Sequence, residues 1–154
     1  MTTPHAGFDL ERFVRAHGPI YATALAELKR GRKQSHWMWF ILPQLRGLGQ
    51  SEMARTYGLQ GLAEAQAYQA HALLAPRLNE CVEAMLAHAG TPAHAILGGV
   101  DALKFRSCVT LFDKAAPDVP IFSEALAVFF EGQPDLETLR LLQEHEAGHR
   151  SESS

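Results

Sequence analysis

Glycine and proline recur along this chain at spacings that leave room only for helices of a few turns, and the intervals between them carry apolar residues at helical period. "FDLERFVRAHG" offers Asp9 as N-cap, Phe8 and Phe13 at the spacing of a hydrophobic staple, and Gly18 as a stop. Pro19 suits the opening of a second helix, with Tyr21, Ala24, Leu25 and Leu28 on one face. Lys29 and Arg30 match its C-terminal dipole, and Gly31 ends it. Further along, Ser51 heads "EMARTY", Pro76 fits a first turn, and Thr91-Pro92 reads as a cap followed by an opening proline. Gly98-Gly99 breaks the chain, Asp101 caps "ALKFRSCVTLFDKAA", Pro120 starts "IFSEALAVFFEG" and Asp135 caps "LETLRLLQEHE". Strand-like runs such as "CVTLF" are short and lie inside capped helical windows, so length decides for helix. The pattern predicts an all-α fold, a single compact domain of about eight or nine mostly short helices.

A chain of 154 residues fits one domain with a substantial core. The expected organisation is an N-terminal extension over 1–8, the helical domain over 9–142, and a helix end with a disordered tail over 143–154. A net charge of −3 with dispersed Lys and Arg argues against nucleic acid as a partner, because that requires a basic face. No apolar run is long enough to span a bilayer, so no membrane association is expected. The first residues lack the basic and apolar regions of a signal peptide. Cys81 and Cys108 fall within apolar helical patterns and read as buried reduced thiols. The cytoplasm is the expected location.

Two stretches stand out chemically. "GRKQSHWMWFILPQ" fits a short helix from about His36 to Leu42, ended by Pro43. Such a helix pairs His36 with Phe40, Trp37 with Ile41 and Met38 with Leu42, is apolar all round, and must be buried on most faces. Its indoles and imidazole then belong either to the core or to the wall of a cleft. In "LGGVDALKFRSCVTLFD", Phe105, Cys108, Val109 and Phe112 make a buried stripe, with Arg106, Thr110 and Asp113 on another side. Lys104 and Ser107 share a third edge. A cation in the first turn beside a glycine pair suits an anion site, although Asp101 opposes it. K-x-x-S also sets an amine one turn from a hydroxyl, the minimum for a Ser–Lys nucleophile pair; a solvated lysine and a helix-facing serine share that spacing.

Together, "FVRAHGPIYATALAELKRGRKQSHWMWFILPQLRGLGQS", "EAQAYQAHALLAPRL" and "LKFRSCVTLF" closely resemble the bacterial domain of unknown function 1810 family, from Asp9 to Leu141. The resemblance implies an all-helical single domain. It carries the family's recurring positions onto Lys33, His36, Trp37, Trp39, Pro43 and Gln44, and onto Lys104, Ser107, Thr110 and Phe112. "FILPQ" departs mildly from the pattern, since members more often show a second phenylalanine before the proline. Nothing in the chain resembles the disordered protease-inhibitor repeats of calpastatin, a name sometimes attached to the family.

Two functions fit these residues. The first is a site for a small anionic, nucleotide-like or ADP-ribose-like molecule, bound or hydrolysed between the two stretches. Lys33, Trp37, Trp39, Gln44, Lys104, Arg106 and Thr110 would bind, with His36 and Ser107 as candidate catalytic groups and Glu64 or Asp113 available as a carboxylate partner. No cofactor is expected. The second is a non-catalytic interaction module that docks a protein, of unidentified kind, through the Trp-rich segment.

"HEAGH", His145 to His149, matches the H-E-x-x-H pattern of zinc hydrolases. A catalytic zinc requires a third protein ligand and an enclosed pocket, and this segment runs into a serine-rich tail outside the family resemblance. No metal site is expected. A chain ended at Gln143 should therefore keep its fold and any activity. Stoichiometric zinc in the purified protein, lost on that truncation, would contradict this reading.

Overall fold

The computed structural model describes residues 8–153, with side chains as far as His145. Ten helices and no strand occur among the described residues. They are α1 (Glu11–His17), α2 (Ile20–Arg30), α3 (Met38–Ile41), α4 (Glu52–Tyr57), α5 (Leu62–Ala70), α6 (Leu74–Leu86), α7 (Ala93–Leu97), α8 (Gly99–Ala115), α9 (Ile121–Phe130) and α10 (Leu136–Ser153). The count slightly exceeds the expected eight or nine, and α3 and α7 are the shortest, with four and five residues.

The chain folds as one all-α domain around α8. In α8, Ala102, Phe105, Ser107, Cys108, Val109, Thr110, Leu111 and Phe112 are buried, so its middle is enclosed on nearly every side. Helices α5, α7, α9 and α10 pack against it, while α6 joins α2, α5 and α9. The expected stripe of Phe105, Cys108, Val109 and Phe112 is fully inside. Phe112 stacks on Phe122 at 5.6 Å, and Tyr68 meets Phe13 edge-on at 5.1 Å. Both cysteines are free and buried. Burial pushes the Cys81 thiol up to about 12 and raises that of Cys108 as well, which makes both inert. Among the described residues no helix is long and apolar enough to cross a membrane.

Local chemistry explains several helix ends. Gly31, at φ 79°, takes the left-handed conformation that L side chains disfavour; its N–H donates to Leu28 O and that of Arg32 to Glu27 O, each at 3.0 Å. Ser51 Oγ accepts from the N–H of Ala54 at 3.1 Å, and Asp135 Oδ2 accepts from that of Thr138 at 2.9 Å. Other expected caps are displaced. Leu10, not Asp9, precedes α1; Pro92, not Thr91, precedes α7. Helix α8 starts directly after Gly98, whose φ of 90° makes the break, so Asp101 lies within the first turn and Lys104 beyond it.

The segment joining α2 to α3 is shaped by a buried carboxylate. Glu27 is 3% exposed and accepts from Gln34 N (2.8 Å), Ser35 N (3.0 Å), Ser35 Oγ (2.6 Å) and the indole Nε1 of Trp37 (2.9 Å). Burial alone would raise its pKa, but the hydrogen bonds from Ser35, Gln34 and Trp37 outweigh that cost and bring it down to about 2. Trp37 is thereby drawn into the core at 0% exposure. The helix expected over His36–Leu42 contracts to Met38–Ile41, because the residues before it are bent around Glu27, and His36 is exposed.

Next to this segment, His17 is buried with Nε2–H donating to Phe40 O at 2.9 Å and Nδ1 accepting from Arg77 at 3.1 Å. Burial lowers its pKa, and only a neutral ring can accept from the guanidinium. The bond to Phe40 O ties α1 to α3, and the bond from Arg77 ties α1 to α6.

Because the pKa of Glu27 is depressed in the folded state, its stabilisation is complete above about pH 4.5 and lost as the pH falls toward about 2. Glu27→Gln should cost about 3 kcal/mol in urea unfolding at pH 7, the value of a shift of that size. The difference from the parent chain should shrink across that acid window. A constant difference from pH 7 to pH 2 would show that the charge contributes nothing.

Candidate functional site

A cavity of about 430 Å³ opens between α3, the segment that follows it, the start of α8 and the start of α10. The segment that carries Gln44 is fixed by a short backbone crossing. Arg46 N–H donates to Leu59 O at 2.8 Å and Leu59 N–H to Gln44 O at 3.0 Å, a parallel bridge between Leu45 and Leu59. The crossing depends on Gly58, where a Cβ would come within 2.6 Å of both Ala54 O and Arg46 Cα. Gln44, Leu48 and Ser51 are thus held along one wall. Beside this crossing, Arg12 reaches across with hydrogen bonds to Thr56 O (2.7 Å) and Gly58 O (3.1 Å) and an ion pair to Glu64 (2.8 Å).

The other wall carries the charge. Lys104 Nζ sits 3.7 Å from the ring centroid of Trp39 and 3.3 Å from Asp101 Oδ1. Asp101 Oδ2 also pairs with Lys33 Nζ at 3.0 Å, and that ammonium lies 5.0 Å from the ring centroid of Trp37. Two lysines, one carboxylate and two indoles form a continuous chain with one net positive charge. Side-chain exposures of 9% for Lys33 and 19% for Lys104 make these contacts stronger than fully solvated pairs; each cation–π contact contributes about 0.5–2 kcal/mol. Across the opening, Asp135 and Glu137 supply carboxylates, the second already paired with Arg140.

Of the residues singled out in the sequence, Trp39, Gln44, Lys104 and Ser107 line this cavity together. The others are placed elsewhere. Trp37 is a core residue whose indole serves Glu27, and Lys33 reaches the site only through Asp101. Thr110 is buried, donating to Arg106 O at 2.8 Å and accepting from Asp135 N at 2.9 Å, so it fixes the start of α10. Arg106 donates to Gln133 O at 2.9 Å and lies over Phe130. His36 is not among the lining residues. Glu64, considered as its carboxylate partner, is fully buried and committed to Arg12 and Gln60 N. Ser107 Oγ donates to Leu103 O at 3.2 Å and Lys104 holds Asp101, so no hydrogen bond joins the K-x-x-S pair.

Two contributors escaped the sequence reading. Asp101 reads in the sequence as a cap that would repel an anion, yet its place three residues before Lys104 is the spacing of a helical ion pair and signals the contact. Glu27 carries no such mark, because it acts seven to ten residues ahead across a turn. The described residues contain no cluster of His, Cys, Asp or Glu suited to a metal. The Glu146 and His149 side chains of "HEAGH" lie outside the described residues.

The crystal structure of the conserved hypothetical protein Rv1873 from Mycobacterium tuberculosis is similar at 46% identity and a TM-score of 0.87, covering 88% of this chain and 97% of that one. No curated protein matches. The model of the family described as "Protein of unknown function (DUF1810)" matches residues 7–142, a span that contains every residue of the cavity. The chain belongs to the DUF1810 family.

Proposed function

We propose that the cavity beside Trp39 and Lys104 binds a small nucleotide-like molecule, an aromatic ring carrying a single anionic group. The observation that carries this reading is convergence. Trp39 and Gln44 come from one segment and Lys104 and Ser107 from another some sixty residues away, and all four meet at one opening. A half-buried indole with Leu48 and Leu103 offers a flat apolar wall. Lys104 suits the anion, while Gln44 and Asp135 suit ring N–H donors. One net positive charge on the Lys33–Asp101–Lys104 cluster, facing carboxylates across the opening, favours a ligand of low charge over a polyphosphate. With His36 outside the cavity, binding is better supported than hydrolysis.

The second reading, docking of a protein, draws on a different observation. Val100, Leu103 and Leu136 are 69%, 62% and 75% exposed, and the first two line the same opening.

Mass spectrometry of molecules co-purifying with the native protein, followed by thermal-shift titration of nucleoside monophosphates and cyclic nucleotides, separates the readings. A ligand should be found whose binding weakens about tenfold or more in Lys104→Ala and Trp39→Ala, equivalent to about 1.4 kcal/mol each. His36→Ala should leave binding unchanged. Trp37→Ala should instead cost about 3–5 kcal/mol of stability as a core truncation. Absence of any ligand, together with a protein partner lost in Leu103→Glu, would favour docking.

A further inference from the structure

We propose that the protein has a second small-molecule site, separate from the first, for an amphipathic monoanion: an apolar body carrying one negatively charged head. A larger cavity, about 650 Å³, lies between the start of α5, the end of α8 and α10. That volume is in the range of small-molecule sites. Leu62 and Ala63 form one apolar wall and Leu139 and Leu142 the other. The polar groups are Lys114 from α8 and His145 from α10, with the amides of Gln60 and Gln143.

The charge pattern gives the ligand its sign. Among the described residues no carboxylate lines this cavity, in contrast to the opening beside Lys104. Lys114 makes no ion pair among the described residues, although most other basic groups facing a cavity or the core are matched. An unmatched ammonium and an imidazole at the edge of an apolar cleft complement an anionic head on an apolar tail. His145, which "HEAGH" had suggested as a zinc ligand, is instead packed over Gly61: its Nδ1 lies 3.2 Å from the place a Cβ there would occupy, so glycine leaves the imidazole room against the wall. Because both basic groups are exposed, the head supplies the sign preference and the apolar walls supply most of the affinity.

Isothermal titration of the full chain with sodium decanoate, decylammonium chloride and decanol, all below micelle-forming concentrations, tests the proposal. Decanoate should bind saturably at one per chain, about three- to tenfold more tightly than decylammonium. Lys114→Gln should remove that preference and leave decanol binding intact. Ala63→Trp, at an exposed position, should fill the cleft and abolish binding while circular dichroism and melting temperature stay unchanged. Lys104→Ala should have no effect on decanoate, which separates this site from the nucleotide-like reading of the other cavity. Failure of decanoate to bind, equal binding of decylammonium, unchanged binding in Ala63→Trp, or loss in Lys104→Ala would each overturn it.

Discussion

The arrangement of this protein turns on a carboxylate taken out of water. Glu27 lies near the end of α2, where a helix side chain can point inward while the backbone after Gly31 turns away. Its oxygens collect two backbone N–H groups, a hydroxyl and an indole N–H. An ion buried without such donors would destabilise the fold by several kcal/mol. Surrounded by them, it obliges residues 34–37 to wrap around it. That wrapping sends Trp37 inward and leaves Trp39, two residues on, to face the opening where Lys104 waits. Arg12 and Glu64 do a parallel service on the neighbouring side, where the guanidinium joins α1 to the carbonyls of Thr56 and Gly58. Of the two buried carboxylates, Glu27 thus holds the segment before α3 and Glu64 the segment after α4.

Charge in the cavity follows from sharing. Neither lysine is free to act as an isolated cation, since Asp101 spans both and each ammonium faces an indole. This links the loop organised by Glu27 to the first turns of α8, so the geometry of Trp39 and Lys104 is set from two directions. It also separates the two cavities chemically. One opposes a cation to carboxylates, and the other presents basic groups beside leucines with no acid among the described residues of its lining.

Local rules made much of the fold legible. Gly31, Ser51, Asp135 and Pro120 mark helix ends through interactions within a few residues, which sequence displays directly. The buried stripe of α8 follows from periodicity in the same way. Residue type and family resemblance suggest that His36 and an indole converge with Lys104 and Ser107; Trp39, Gln44, Lys104 and Ser107 line one cavity, and His36 does not. What was hidden depended on distance along the chain. Residues His36–Leu42 have the composition of a helix, yet four hydrogen bonds to Glu27 upstream outweigh the weak propensity of so short a segment. The roles of Trp37 and Trp39 could not be told apart because both are tryptophans in one apolar run; only the acceptor on Glu27 distinguishes them.

The central claim, that the Glu27 carboxylate holds Trp37 in the core and so shapes the site, is tested most directly by fluorescence. The chain has two tryptophans, so Trp39→Phe leaves Trp37 as the sole indole. In that background Trp37 should emit at short wavelength and resist acrylamide quenching. Adding Glu27→Gln should shift the emission to the red and raise quenching several-fold while helical circular dichroism persists. A Trp37 that stays blue-emitting and unquenched without the carboxylate would show that apolar packing alone places it.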